Sequence, residues 1–388
     1  MVILFIANNC GECMRFYVLI LGYIFVVQIL TCRRLAVSCR SNQGNTRAFL
    51  FLTMGLLLIL NCLRSIDTGN DTYSYYLLFE HYKGEWADYS SAALLWMDSY
   101  VDAGYRLINY FFLFFSSNYQ LFVSCVALFL YINTASFIKR YSSNIIFSVY
   151  LFFLLFFHVY LNMLRQALAI TIILMGSHHL FKKETKQFIL VVLIAALFHK
   201  TAILSLLLIP IAYKKRFSLA NVFWSVIVTG GLTSFHVINR ILTVVGYSGK
   251  YIDEQSGMSV YADILLSALT LGLMLFLYRK LDNNTYDRAN EDNIYARFYI
   301  RIPVIQLIIS IASLTLPILY RCEYYFTVFY ITGIPYYLMN NTDIKSNRKI
   351  IGRLILLIYI TYVGSAVLLR PEWYTEFNYR FFWSTWHY

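Results

Sequence analysis

Apolar residues occur along this chain in long unbroken runs, with neither the strict alternation of a half-buried strand nor the heptads of a coiled coil. Runs of 16–20 residues fall at about 16–31, 48–63, 119–138, 144–161, 164–181, 219–238, 261–278, 302–319, 323–339 and 350–369. A helix crosses a bilayer with about 20 apolar residues. The shorter runs must therefore take in flanking polar residues or thin the bilayer locally. The pattern predicts an all-α polytopic membrane protein of roughly 10–12 transmembrane helices. No tail or linker suggests a soluble domain, so residues 1–388 read as one integral membrane domain.

Two further segments do not fit a simple crossing. Residues 187–213 lie between Lys182, Lys183 and Lys186 on one flank and Lys214, Lys215 and Arg216 on the other. Matching flanks put both ends on one side, and the segment is too short for two crossings of about 20 residues each. A re-entrant helical hairpin is expected, with His199 and Lys200 near its tip. A single long tilted span is the alternative, and it would invert every later loop. Residues 104–118 are rich in aromatics and are expected to lie in the interface as part of an outer-face region, 64–118, that carries an amphipathic helix at 72–83.

Basic residues set the orientation. The loops at 32–47, 139–143, 182–186, 214–218, 279–301 and 340–353 hold 21 of the 32 Lys and Arg but only 6 of the 20 Asp and Glu. That side is expected to be cytoplasmic, with both termini outside. Of the whole chain, 59% is hydrophobic and 13% charged, against about 45–50% and about 25% in soluble proteins. A soluble globule, a disordered chain and a secreted disulfide scaffold are excluded. The net charge of +12 sits in short loops between spans, so it points to topology and not to nucleic acid. The seven cysteines include one CxxC, Cys10 and Cys13, with no second pair to complete a zinc site. No metal site and no cofactor are predicted. The stretch Met1–Ile6 is too short for a cleavable signal core.

Four polar stretches interrupt the apolar pattern on the side away from the lysines. The first runs Arg64-Ser-Ile-Asp67-Thr-Gly-Asn-Asp71-Thr-Tyr73-Ser-Tyr75-Tyr76. Asp67 and Asp71 share one face if helical. Either can act as a base, bind a sugar hydroxyl or help hold a divalent metal; the plainer alternative is a helix N-cap. Asp88, Asp98 and Asp102 extend the acidic surface and read as solvated. The second stretch, Asn162-Met-Leu-Arg165-Gln166-Ala-Leu-Ala169, puts an arginine at the start of a small-residue helix. Such a charge is either a snorkelling anchor or a functional group. The third, Phe198-His199-Lys-Thr201-Ala202, puts a histidine at the expected hairpin tip, where a water-filled cavity can make it a base. The fourth, Tyr320-Arg321-Cys-Glu323-Tyr324-Tyr325-Phe326, brings a third arginine. Arginine forks suit phosphate oxygens. Glu323 is the competing partner for one of them. His178 and His179 read as interfacial. No nucleotide loop, GxSxG or HExxH is present, and acidic residues are scarce within the spans, which disfavours an ion-coupled transporter.

Taken in order, these stretches resemble the EpsG family of O-antigen-polymerase-like (Wzy-type) membrane proteins of bacterial polysaccharide synthesis. The shared residues are Arg64 with Asp67-Thr and Asp71-Thr-Tyr, Asn162-x-x-Arg165-Gln166-x-Leu-Ala169, Phe198-His199-x-Thr-Ala202 and Arg321-x-x-Tyr324-Tyr325-Phe326. Thr201 stands where the family often has Ser. The resemblance implies a polymerase of capsule, exopolysaccharide or O-antigen in the bacterial cytoplasmic membrane, acting on its outer face. Its substrate would be a polyprenyl-pyrophosphate-linked oligosaccharide, with membrane lipid around it and a flippase and chain-length regulator as candidate partners. Under that implication Arg165 and Arg321, with Arg64, bind the pyrophosphate. His199, Asp67 or Asp71 deprotonates the acceptor, and Gln166, Tyr73, Tyr76, Tyr324 and Tyr325 contact substrate. A flippase or exporter, a metal-dependent lipid-linked glycosyltransferase holding its ion at Asp67 and Asp71, and a membrane acyltransferase led by His199 are the rival readings.

Overall fold

The computed structural model describes residues 2–32, 43–88, 102–214, 258–279, 294–314, 319–341, 344–369 and 379–384. These residues form fourteen α-helices and one 3₁₀ helix, with no strand among them. The helices are α1 (Val2–Cys32), α2 (Gln43–Cys62), α3 (Thr72–Asp88), α4 (Ala103–Leu113), α5 (Tyr119–Tyr141), α6 (Ile145–Asn162), α7 (Leu164–Phe181) and α8 (Thr185–Phe198). The 3₁₀ helix Lys200–Leu207 leads into α9 (Leu208–Tyr213), and α10 (Met258–Arg279), α11 (Ile294–Ala312), α12 (Tyr320–Thr327), α13 (Tyr330–Asn340) and α14 (Arg348–Leu369) follow.

Six of them, α1, α2, α5, α6, α10 and α11, are long and apolar enough to cross a membrane. The run at 323–339 is divided between two short helices, α12 and α13, and the run at 302–319 begins earlier, at Ile294. The run at 219–238 lies outside the described residues. α1 likewise begins well before its run at 16–31, at Val2, whereas α7 spans 164–181 as expected.

α6 is apolar on every side, and such a helix has to be buried. It is 89% buried and forms the centre, with α2, α5, α7, α13 and α14 around it. Its aromatic rings pack edge to face, Phe152 on Tyr160 at 5.1 Å and Tyr131 on Tyr160 at 5.7 Å. Exposed Leu, Ile and Phe cover the outer faces of the peripheral helices, among them Leu19, Phe51, Leu128 and Leu265. An apolar exterior of this kind suits a hydrocarbon solvent.

Among the described residues, the basic ends of α5 and α7 and the start of α11 gather at one end. Tyr141, next to Lys139 and Arg140, lies 5.2 Å from Phe181, which precedes Lys182. Phe181 in turn lies 4.8 Å from Tyr295 at the start of α11. The turn between α7 and α8 is closed by Glu184 N–H donating to His179 O, with Lys183 at φ 63° in the left-handed conformation typical of a helix C-terminus. α8 then runs back along α7 in such close contact that a Cβ on Gly176 would sit 2.4 Å from Val191 Cγ1.

At His199 the backbone is extended, and the chain turns. Arg301 on α11 donates to Ile211 O, which brings α9 back to within a turn of the Phe181 level. Residues 185–213 thus run out along α8, turn at His199 and return through the 3₁₀ helix and α9. α4, at eleven residues, is amphipathic: Tyr105, Asn109 and Tyr110 face inward, while Leu107 and Phe111 are exposed. A segment near the end of the chain also closes on the loop after α2, with Ser65 N–H donating to Arg380 O at 2.7 Å and Phe382 N–H to Leu63 O at 2.9 Å.

Candidate active site

The four polar stretches converge at the end of the bundle opposite the basic loops. α6 stops at Asn162 and α7 starts at Leu164, so a turn at Met163 delivers Arg165 and Gln166 in the first turn of α7. Asn162 Oδ1 accepts the Asp71 N–H at 2.9 Å and fixes the start of α3. Gly69 makes this approach possible. It has φ +89°, and a Cβ there would lie 2.6 Å from Asn162 Oδ1. Thr72 Oγ1 completes the junction by donating to Leu161 O at 3.3 Å.

Two arginine–carboxylate pairs form on this frame. Arg165 Nη1 meets Asp102 Oδ2 at 3.2 Å, and Arg321 Nη1 lies 3.7 Å from Asp71 Oδ2. His199 Nδ1 approaches the same Asp102 oxygen at 3.7 Å. Asp102 therefore stands between a guanidinium and an imidazole. Gly104 permits this, since a Cβ at that position would lie 2.8 Å from Leu197 O. The two pairs are linked. Gln166 Nε2 donates to Arg321 O, and the Arg165 guanidinium sits 5.8 Å from the Tyr75 ring, one turn along α3 from Asp71. Burial, with the Asp71 carboxylate adding to it, pushes the Tyr75 phenol up, so it stays neutral beside Arg165.

Both arginines remain reachable from outside. Arg165 and Arg321 keep 26% and 33% of their side-chain surface, whereas Asp102 keeps 6%. A guanidinium that spends one nitrogen on a carboxylate has donors left for a second anion.

Other sequence expectations land differently. Arg64 is at the same end but 1% exposed. Its Nη1 donates to Asn61 Oδ1 and Tyr160 O, both at 3.0 Å, so it braces the junction of α2 and α6 from within. Asp67 accepts from Ser65 Oγ at 3.2 Å and joins neither arginine pair among the described contacts. Tyr73 and Tyr76 lie side by side on α3 at 6.2 Å, with Tyr73 half exposed. Tyr325 is fully buried, and its hydroxyl meets Thr201 Oγ1 at 3.3 Å, which ties α12 to the residue two beyond His199. Among the described ion pairs, Arg321 meets Asp71 and not Glu323. Glu323 turns to α11, where Gln306 and Ser310 donate to it. Asp102, expected to be solvated, is instead the buried hub of the site. Its only sequence signal is that it precedes a glycine-containing aromatic helix. Asp98 lies outside the described residues, as do the side chains of Asp88, Cys10 and Cys13. Among the described residues, no three His, Cys, Asp or Glu gather as metal ligands.

Residues 47–381 match the family described as the EpsG family. No curated protein and no solved structure matches the chain.

Proposed function

The chain belongs to the EpsG family, a Wzy-like polysaccharide polymerase family of multi-pass membrane proteins, and from that premise we propose that it extends a bacterial surface polysaccharide on the outer face of the cytoplasmic membrane. The donor is a glycan on a polyprenyl pyrophosphate, and the acceptor is a hydroxyl of an incoming lipid-linked repeat unit. The acceptor oxygen bonds to the anomeric carbon as the bond to pyrophosphate breaks. The proton passes to a base, and polyprenyl pyrophosphate leaves with the electron pair.

One observation carries this reading: Arg165 and Arg321, 156 residues apart in sequence, stand at the same end of the bundle beside the His199–Asp102 pair. Two guanidinium groups match the charge that grows on a departing pyrophosphate, and fixed donors at that point lower the barrier. His199 is the group we assign as base. Asp102, buried beside it, favours the imidazolium that forms, much as a carboxylate does in a catalytic triad. Asp71 holds Arg321, Tyr73 and Tyr76 offer flat rings to passing sugars, and Arg64 and Tyr325 support the frame. The concentration of Lys and Arg at the opposite end supports the outward orientation.

Deletion of the gene, followed by analysis of lipid-linked glycans, tests the reading. A lipid-linked single repeat unit reaching the outer face, with no longer chains, is the expected result. Repeat units trapped on the cytoplasmic face would indicate a flippase instead.

A further inference from the structure

Behind α12 lies a second polar place that the chemistry above does not use. A cavity bounded by α6, α10, α11, α12, α13 and α14 is lined by His158, Asp263, Gln306, Tyr320, Glu323 and Tyr324, among others, and offers about 60 Å³ within reach of water. A single water needs only about 10–15 Å³ of such space, so the cavity holds several waters or one small polar molecule. It is too small for an isoprenoid tail or a run of sugars. It adjoins the arginine site, because Tyr320 lines it while the Tyr320 hydroxyl accepts from Arg321 Nε at 3.2 Å.

Its polar groups are held in place. Asp263 and Glu323 are 8% and 6% exposed. Tyr362 donates to Asp263 Oδ1 at 2.5 Å. Gln306 donates to Glu323 Oε2 at 3.1 Å, and Ser310 to Oε1 at 2.6 Å. Ser267 and Ser310 join α10 to α11 at 2.8 Å behind the two acids. A carboxyl group carries two oxygens that can each accept more than one hydrogen bond, and both acids line the cavity.

α12 separates two chemistries. Arg321 and Glu323 stand two residues apart, about 200° around the helix. Arg321 faces Asp71, and Glu323 faces α11. Pyrophosphate is drawn to the guanidinium on the first face, whereas the carboxyl groups on the second offer it no positive charge. A neutral polyol has the opposite preference: its hydroxyls donate to the carboxylates, and its C–H faces lie against the rings of Tyr320 and Tyr324, which combine an apolar body with a polar tip. A mostly apolar, aromatic wall with a few fixed polar groups is the usual make-up of a small-molecule site.

We infer that this cavity is a carbohydrate subsite that takes one sugar ring of the glycan, with Glu323 and Asp263 accepting from its hydroxyls. The inference rests on the polymerase reading. The test uses the full chain in lipid nanodiscs and two probes. One is the oligosaccharide released by mild acid from the host's lipid-linked repeat units, and the other is polyprenyl pyrophosphate without sugar. Binding is read for wild type and for Glu323→Gln, Asp263→Asn and Tyr324→Ala. Glu323→Gln and Asp263→Asn are expected to bind the oligosaccharide about tenfold or more weakly, as for the loss of a strong hydrogen bond, and Tyr324→Ala to bind it more weakly through loss of its ring, while all three bind polyprenyl pyrophosphate as wild type does. Unchanged oligosaccharide binding in all three overturns the inference, and so does equal loss of both probes, since the effect is then not confined to sugar. Variants that lose only the oligosaccharide, in a protein whose gene deletion leaves polymer length unaltered, would uphold the subsite and sink the polymerase reading.

Discussion

Arg165 and Asp102 meet at 3.2 Å across 63 positions of sequence, and through that contact the start of α7 is joined to the residue that opens α4. His199 shares the same carboxylate oxygen at 3.7 Å, so a change at Asp102 acts on both groups. Asp102→Asn keeps the shape and removes the charge. Polymer formed per molecule of membrane protein is expected to fall about tenfold or more, as for a lost hydrogen bond to a charged group. Folded protein should stay near wild-type amount, because Arg165 is partly exposed and can turn to water. A normal polymer ladder in this variant would remove Asp102 from the mechanism.

Arg165 and Arg321 are expected to behave alike. Alanine at either should lower the initial rate of polymerisation in reconstituted vesicles roughly 100-fold, the loss of about 3 kcal/mol of transition-state stabilisation. Lysine at either should recover only part of that rate, since an ammonium keeps the charge but lacks the fork that grips two oxygens at once. Wild-type rates in Arg165→Ala at normal abundance would take this arginine out of the anion site.

Much of this arrangement can be read from the chain before any coordinates. Continuous apolar runs predict the helices because a bilayer leaves few alternatives. The chain also turns at His199, where the backbone is extended between α8 and the 3₁₀ helix, in the middle of the segment that the lysine flanks set apart. What cannot be read is which partner each charge finds. Asp102 looks like one more surface acid, since nothing local records that Gly104 lets α4 close on Leu197. Arg64 looks equivalent to Arg165 and Arg321, yet it is buried against Asn61 and Tyr160 by the closing of α2 on α6. The division of the run at 323–339 is equally hidden, because a continuous apolar string does not reveal a break at Val328 and Phe329. Periodicity reports burial; long-range pairing of polar groups depends on the packed fold.

Gly69 offers a test of the frame itself. Alanine there must adopt φ +89° and bring its Cβ to 2.6 Å from Asn162 Oδ1. A left-handed non-glycine residue costs about 1–3 kcal/mol, and the displaced Asn162 would also release the Asp71 N–H. Gly69→Ala is therefore expected to lower the thermal unfolding temperature in detergent and to shorten the polymer. Gly84→Ala, with nothing within 4 Å of the added carbon, should do neither through steric conflict.

Arg64 separates bracing from catalysis. Its Nη1 donates to Asn61 Oδ1 and to Tyr160 O, and the same carbonyl also accepts from Asn61 Nδ2 at 3.0 Å. Arg64→Met keeps an unbranched apolar stem, though a shorter one, and removes the charge. Tyr160 O would still be satisfied, whereas Asn61 Oδ1 would lose this donor in a buried place, at a cost of about 1–3 kcal/mol. Against this, methionine avoids burying a guanidinium that is 1% exposed and has Nε and Nη2 without hydrogen-bond partners. The net effect should be modest destabilisation, seen as a lower yield of folded protein in the membrane. Polymerisation per folded molecule should remain within a fewfold of wild type, unlike the loss expected at Arg165 and Arg321. Full yield combined with collapse of the polymer ladder would place Arg64 among the pyrophosphate-binding groups.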